Sequence, residues 1–379
     1  MKDSGLYIHI PYCRTKCQYC SFVSFPCPGK SPAAYLTALI RQIGELAHHP
    51  WLEDRKIATI FIGGGTPTIY DGDSLARLLA ACFSKFEVVA DPEVTIESNP
   101  NAVSLDQLRQ CRAAGANRLS IGVQAFDDRL LRAVGRSHSR QEALNAVALA
   151  RRAGFDNLNL DLMYGLPGQT MDDWRQTMQT AASLAPEHLA LYELTIEEGT
   201  PFAEFRKQGR LSLPPDDAII ELEDFAYPFL ADNGYSRYEI SNFAKAGCVC
   251  RHNMNYWRNG SYLGLGAGAV SCLAGLRLTN VQDPALYVKM VQDGQPPFAE
   301  GEALSTEASF RESVVMGLRL LAGVELDELR GRYGLHPEDY YGRRLLAFIE
   351  QGLINLDDQY MKLTAKALPV ANQVLSELV

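Results

Sequence analysis

Apolar and polar positions follow two rhythms along the chain, and these alternate about six times over the first two thirds. Short β-branched runs at residues 6–10, 57–62, 93–97, 118–123, 158–163 and 188–194 are nearly continuous in apolar residues, which predicts parallel strands covered on both faces. Between them, the stretches 32–46, 73–86, 104–114, 140–153 and 172–184 repeat apolar residues at helical spacing. Ser31-Pro32, Ser104 with Gln107 three residues on, and Thr170 ahead of Asp172 and Asp173 read as helix starts. Repeated βα units imply a parallel sheet with right-handed crossovers, and six are too few to close an eight-stranded barrel. The expected fold is α/β, a partial, open-sided (βα)6 barrel over residues 1–215.

The rhythm breaks after about residue 200. Residues 200–215 are punctuated by Pro and Gly, 216–233 read as a helix, and 235–280 are rich in aromatics, Gly and Cys. Residues 216–300 are therefore expected to connect two domains. Helices at 306–321, 325–333 and 337–351, short strands around 353–356 and 360–363, and a last helix from about 364 predict a C-terminal, mainly helical, winged-helix-like domain over 301–379. Winged helices often bind DNA, yet this segment carries 8 basic against 12 acidic residues, and the whole chain 36 against 45. Nucleic acid demands a basic face, and with a net charge of −9 no nucleic-acid partner is expected. No apolar run is long enough to span a bilayer, and the opening residues hold no export signal, so the expectation is a cytoplasmic protein without a transmembrane segment.

Nine cysteines in a chain without export signals are expected to be reduced. Cys13-Arg-Thr-Lys-Cys17-Gln-Tyr-Cys20 places three thiols directly after the first strand, at the sheet end where active sites collect. Three thiolates suit a [4Fe-4S] cluster with one iron left open to a ligand. Cys17 and Cys20 alone also read as a redox pair, or as half of a zinc site completed by Cys248, Cys250 and His252. Cys82, Cys111 and Cys272 sit singly in apolar patterns and read as core, while Cys27 is out of cluster spacing.

Residues ending successive strands should line one pocket. Gly63-Gly64-Gly65-Thr66-Pro67 ends the second strand, where glycines let the backbone approach a ligand or simply turn. Glu97, Gln124 and Asp161 lie late in strands three, four and five, and Arg136 follows Gln124. A carboxylate there is too costly to bury unpaired, so Glu97 and Asp161 need a cation, hydroxyls or a ligand. A structural ion pair would meet that need as well.

The CxxxCxxC spacing resembles the radical S-adenosylmethionine (SAM) enzymes. Tyr7-Ile-His-Ile-Pro-Tyr-Cys13, Cys20-Ser-Phe22, Ile62-Gly-Gly-Gly65-Thr66-Pro67-Thr and Asp161-Leu-Met-Tyr-Gly-Leu-Pro-Gly-Gln-Thr170 resemble the branch containing oxygen-independent coproporphyrinogen III oxidase and its relatives, over essentially the whole chain. The resemblance implies that Cys13, Cys17 and Cys20 hold the cluster and that Tyr7 and Phe22 flank it. It implies that Gly64, Gly65 and Thr66 contact the methionine part of S-adenosyl-L-methionine, with Glu97, Gln124, Arg136 and Asp161 on its nucleoside and carboxylate.

Within that branch the decarboxylating oxidases have a cysteine two positions after the third ligand, where this chain has Phe22, and an N-terminal arm, where only five residues precede Leu6. His252-Asn-Met-Asn-Tyr256-Trp257 resembles the HNxxYW motif of the haem-chaperone members. The resemblance thus implies a carrier that binds haem and delivers it to haem-requiring apoproteins, respiratory ones among them, with a porphyrinogen-oxidising radical enzyme as the alternative. His252 and Tyr256 are types that ligate haem iron, although a His and two aromatics can equally pack one domain on another. Val270 stands where the family leads one to expect a His.

Overall fold

The computed structural model describes residues 2–27, 32–47, 49–273 and 275–379. Ser31, the first expected helix start, lies outside them. The six expected strands are β1 (Lys2–Ile10), β2 (Arg55–Gly64), β3 (Val88–Ser98), β4 (Arg118–Gln124), β5 (Leu158–Tyr164) and β6 (His188–Glu193), hydrogen-bonded in that order and all parallel. Helices α1 (Ala33–Leu46), α2 (Gly72–Lys85), α3 (Leu105–Ala113), α4 (Asp128–Ala133), α5 (Arg140–Arg152) and α6 (Met171–Ser183) fall between them. Capping boxes start α3 at Ser104 with Gln107 and α6 at Thr170 with Asp173, as the sequence predicts, and also start α5 at Ser139 with Glu142.

The strands are not apolar on both faces. Leu6, Ile8 and Ile10, Ile60 and Ile62, Val94 and Ile96, and Leu158, Leu160 and Leu162 join the hydrophobic core shared with the helices. The alternate positions point into the barrel and are mostly polar: Thr59, Glu93, Thr95, Glu97, Arg118, Ser120, Asn159, Asp161 and His188. Both faces are covered, as expected, but the inner one is polar, because side chains that meet across the lumen can satisfy one another.

The connecting region does more than join. Beyond α7 (Pro201–Lys207) and α8 (Asp216–Asp232), strands β7 (Ser236–Arg237) and β8 (Asn242–Ala244) extend the sheet antiparallel past β6. Helix α9 (Arg251–Trp257) enters the lumen. Strand β9 (Tyr262–Leu265) pairs parallel with β1, and β10 (Val270–Leu273), β11 (Leu276–Asn280) and β12 (Phe298–Ala303) continue antiparallel, on either side of α10 (Pro284–Gln292). Among the described residues the sheet so built has twelve strands. Leu222, Leu230, Leu263, Leu265 and Tyr287 from this region share the core of the barrel.

A second core unites Phe310, Val314, Leu329, Leu345, Ile354, Met361 and Leu375. It joins α11 (Thr306–Gly317), α12 (Leu326–Tyr333), α13 (Pro337–Tyr341), α14 (Arg343–Glu350) and α15 (Ala371–Glu377) to the hairpin of β14 (Ile354–Leu356) and β15 (Tyr360–Leu363). A third short strand, β13 (Val324–Glu325), pairs with β15 and was not anticipated. Among the described residues no helix is long and apolar enough to cross a membrane.

Candidate active site at the strand ends

The loop after β1 closes on itself. Phe25 and Cys27 donate backbone N–H bonds to Pro11 and Cys13, and Lys16 Nζ donates to the carbonyls of Phe22 and Ser24, each at 3.1 Å. This folds the three-cysteine segment over a cavity of about 140 Å³ lined by Cys13, Cys17, Cys20, Phe22, Gly64, Gly65, Glu97, Gln124, Arg136 and Asp161. The structure thus brings together ten of the residues singled out from sequence.

The glycines are there for close approach. A Cβ on Gly63 would stand 2.9 Å from the Glu97 carboxylate, one on Gly64 would run into the His9 ring, and one on Gly65 would meet the Tyr12 carbonyl at 2.6 Å. Gly64 also has φ +112 and donates its N–H to Glu97 at 3.0 Å. At the end of β4 the register slips between Gly122 and Gln124, and Gln124 takes φ +67, an unusual conformation for a side-chain-bearing residue that aims it at the cavity.

Arg136 is the electrostatic centre of the thiol side. Its guanidinium donates to the Asn99 side-chain carbonyl and to the Gly122 carbonyl, and its Nη1 lies 3.5 Å from Cys17 Sγ. Thr66 Oγ1 receives the Asn99 amide at 2.9 Å and donates towards Cys13 Sγ at 3.5 Å. Burial pushes the Cys13 thiol up, opposed by the Thr66 hydroxyl and by Arg136. Three thiols beside a buried cation and a hydroxyl donor suit an anionic, thiolate-held cluster.

The opposite wall is acidic. Burial, with Asp161 nearby, raises Glu97 to about 7. Burial also raises Asp161, opposed by Asn159 at 2.7 Å, Arg118 and Ser120. Two buried carboxyl groups on one cavity wall favour a cationic or hydroxyl-bearing ligand. S-adenosyl-L-methionine, with its sulfonium and ribose diol, has both features.

Beside this cavity lies a second of about 300 Å³, lined by Tyr7, His9, Phe22, Tyr256, Tyr262 and Val270 among others; it shares Phe22, Gly64 and Glu97 with the first. Phe22 is 67% exposed and stands between the two. Val23's carbonyl takes His9 Nε2 at 2.7 Å, leaving Nδ1 to accept the Tyr7 hydroxyl at 2.9 Å, and burial lowers the His9 pKa. Sequence reasoning passed over His9 and Asn99. The signal was the period of two, since each follows a residue singled out, Tyr7 or Glu97, on the same strand face or its continuation.

His252 and Tyr256 are not at this mouth's thiol side. His252 is 1% exposed, its Nδ1 bonded to Thr59 Oγ1 at 2.7 Å and its Nε2 to the Tyr256 hydroxyl at 3.0 Å, with its ring stacked on Phe61. Glu93 anchors the start of α9 by accepting the backbone N–H groups of Arg251 and His252 at 2.8 and 2.9 Å. Cys250 Sγ lies 3.5 Å from the same carboxylate. Glu93 precedes Ser98 by five residues on β3, roughly 16 Å down the strand from the cavity. The pairing of Cys17 and Cys20 with Cys248, Cys250 and His252 around zinc is therefore overturned: the two halves occupy opposite ends of the barrel.

Residues 7–181 match the model of the Radical SAM superfamily and residues 304–370 that of the HemN C-terminal domain. The fold superposes on the coproporphyrinogen III oxidase HemN of Escherichia coli, described as a radical SAM enzyme, with a TM-score of 0.85 and 26% identity over 100% of this chain and 90% of that one. A partial barrel with a cysteine loop at its strand ends, followed by a HemN-type C-terminal domain, defines a radical SAM protein of the coproporphyrinogen oxidase-like group. The chain is 36% identical to "Heme chaperone HemW" of Bacillus subtilis over 97% of both chains, and 34% identical to that of Lactococcus lactis over 99% of this chain and 97% of the other. It is also 36% identical to the Escherichia coli protein of that name, over 98% and 97%. The chain belongs to the HemW family.

Proposed function

We propose that this chain is a haem chaperone. It holds a [4Fe-4S] cluster on Cys13, Cys17 and Cys20 and S-adenosyl-L-methionine in the adjoining cavity, and it passes haem to apoproteins, respiratory ones among them, in the cytoplasm. Relatives carrying the name heme chaperone, alike along nearly the whole chain, support this reading. Phe22 carries it at the residue level: its exposed ring stands where the resembling oxidases have a further cysteine, so the loop offers three thiols and an apolar side chain.

When bound, the cluster would supply an electron to the sulfonium of the cofactor. The chain's own part is to orient and shield. Arg136 and Thr66 stabilise thiolates at Cys17 and Cys13, Gly64 and Gly65 let the backbone approach, and Glu97 and Asp161 face the cationic, diol-bearing ligand. We assign 1–215 to the cluster barrel, 216–300 to a connecting region that also completes the sheet, and 301–379 to the C-terminal domain.

Likeness of fold to the oxidase favours one alternative, a radical enzyme acting on a porphyrinogen. Anaerobic reconstitution, followed by haem titration and a coproporphyrinogen III assay on the same sample, separates the two. Stable haem binding without conversion is expected. Conversion of coproporphyrinogen III without haem binding overturns the chaperone reading.

A further inference from the structure

Ser120, Asn159 and His188 are direct neighbours across β4, β5 and β6, and all three are buried polar side chains facing the lumen. Asp161 stands two residues beyond Asn159 on the same face of β5 and lines the cofactor cavity. Neither Asn159 nor His188 lines that cavity.

We propose that His188 is a positioning residue for the cofactor: acting through Asn159, it fixes the orientation and charge of Asp161 from outside the cavity. This rests on the reading of that cavity as the S-adenosyl-L-methionine site.

A chain of hydrogen bonds carries the effect. The Tyr238 hydroxyl lies 2.8 Å from His188 Nε2, and His188 Nδ1 lies 2.6 Å from the side-chain carbonyl of Asn159. The Asn159 amide donates to Asp161 Oδ1 at 2.7 Å and to Ser120 Oγ at 2.8 Å, and Ser120 Oγ donates to Asp161 Oδ2 at 3.4 Å. Behind Tyr238, the backbone N–H of Cys250 at the root of α9 donates to its hydroxyl at 3.4 Å.

The sense of the chain is fixed at every link. An ionised carboxylate only accepts, so the amide group of Asn159, not its carbonyl, must face Asp161. That carbonyl then needs a donor, which assigns the imidazole proton of His188 to Nδ1 and leaves Nε2 to accept from Tyr238. The ring is therefore neutral, and burial together with the Arg118 guanidinium pushes its pKa well down. A flipped Asn159 would set its carbonyl against the carboxylate and its amide against the His188 N–H, two buried mismatches at once.

Asp161 depends on this support. Among the described residues only Asn159 and Ser120 hydrogen-bond its carboxylate. Burial raises its pKa, and these two donors oppose the rise with help from the charges of Arg118 and Arg136. Glu97 and Tyr192 are the other titratable groups that bear on it. Loss of the Asn159 donor removes the strongest of the opposing interactions and lets Asp161 hold its proton to higher pH.

The test is a calorimetric titration of S-adenosyl-L-methionine into the full chain with its cluster reconstituted, repeated from pH 6 to 9. His188→Leu fills the space but donates nothing, so affinity at pH 7 should fall roughly tenfold and its rise with pH should move upward. His188→Asn can place an amide N–H where Nδ1 stood and should restore most of the affinity. A role in packing alone predicts the reverse order, because Asn leaves the larger hole. Asn159→Asp, equal in size to the residue it replaces, sets a carboxylate beside Asp161 and should show the same loss and the same displacement in pH. If the unmodified chain binds the cofactor and both His188→Leu and Asn159→Asp match it in affinity and pH profile, the positioning role is overturned while the cavity reading stands. Weaker binding by His188→Asn than by His188→Leu overturns it as well. If the unmodified, cluster-loaded chain binds no cofactor, the cavity reading fails and this inference with it.

Discussion

The imidazole of His252 sits 2.7 Å from the hydroxyl of Thr59, a contact between a helix inside the barrel and the second strand of its wall. Together with Tyr256 on the other nitrogen, it makes His252 the tie between α9 and the sheet. His252→Ala leaves the buried Thr59 hydroxyl and the half-buried Tyr256 hydroxyl short of a partner and empties the space against Phe61, so a loss of about 2–4 kcal/mol is expected, read as a lowered unfolding midpoint. Haem bands should stay where they are. Altered bands with an unchanged midpoint would make His252 a ligand.

The same residue has a pH signature. Burial lowers its pKa to about 3 in the folded protein, against about 6.5 unfolded. The unfolded chain therefore binds the extra proton first, and this contribution to stability is full above pH 6.5 and is lost as pH falls towards 3. Denaturation between pH 6.5 and 4 should be shallower in His252→Ala; an identical slope would mean that the ring titrates normally.

Much of the barrel was legible because β1 to β6 and their helices obey simple local rules: apolar runs, capping pairs and glycines at strand ends. The cavity followed, since residues ending parallel strands must converge. What the pattern concealed was non-local. Tyr262 to Leu265 is only four residues long, and nothing local says that it pairs with β1, 250 or so residues earlier. Arg251 and His252 give no hint in sequence that Glu93 accepts their N–H groups. His9 looked like one polar residue in an apolar strand until its neighbours Tyr7 and Val23 were in place.

The cluster thiols make a sharp test. Cys13, Cys17 and Cys20 share one cavity, and among the described residues no other cysteine lines it. Replacing any one by Ala should cut iron and sulfide to a small fraction after anaerobic reconstitution. Cys27→Ala should retain both, since Cys27 is not in the lining of the cavity the other three share and its backbone N–H, bonded to the Cys13 carbonyl at 2.7 Å, is kept. Loss of the cluster in Cys27→Ala would reassign the ligands.

Cofactor contacts can be separated from cluster assembly. Gln124 and Asp161 line the cavity but do not touch a thiol, so Gln124→Ala and Asp161→Ala should leave iron content intact and weaken S-adenosyl-L-methionine binding roughly tenfold each. Isothermal titration on the reconstituted protein measures this. Unchanged affinity in both variants would move the cofactor elsewhere.

Glu97 gives the cavity its pH dependence. Burial and the neighbouring Asp161 hold its pKa at about 7, and the Gly64 N–H opposes that rise. Between the ordinary carboxylate range and pH 7 the folded protein keeps a proton that the unfolded chain has released, so stability of the empty protein should fall as pH rises through that window, by up to about one proton's worth of slope. A sulfonium ligand reverses the preference, because it favours the ionised carboxylate. Affinity for S-adenosyl-L-methionine should therefore increase from pH 6 to pH 8, accompanied by proton release. In Glu97→Gln the side chain keeps its size but cannot titrate, so both the stability slope and the pH dependence of affinity should flatten. Calorimetry in two buffers of different ionisation enthalpy counts the protons released, and the same count in Glu97→Gln as in the unmodified chain would place the titrating group at another residue.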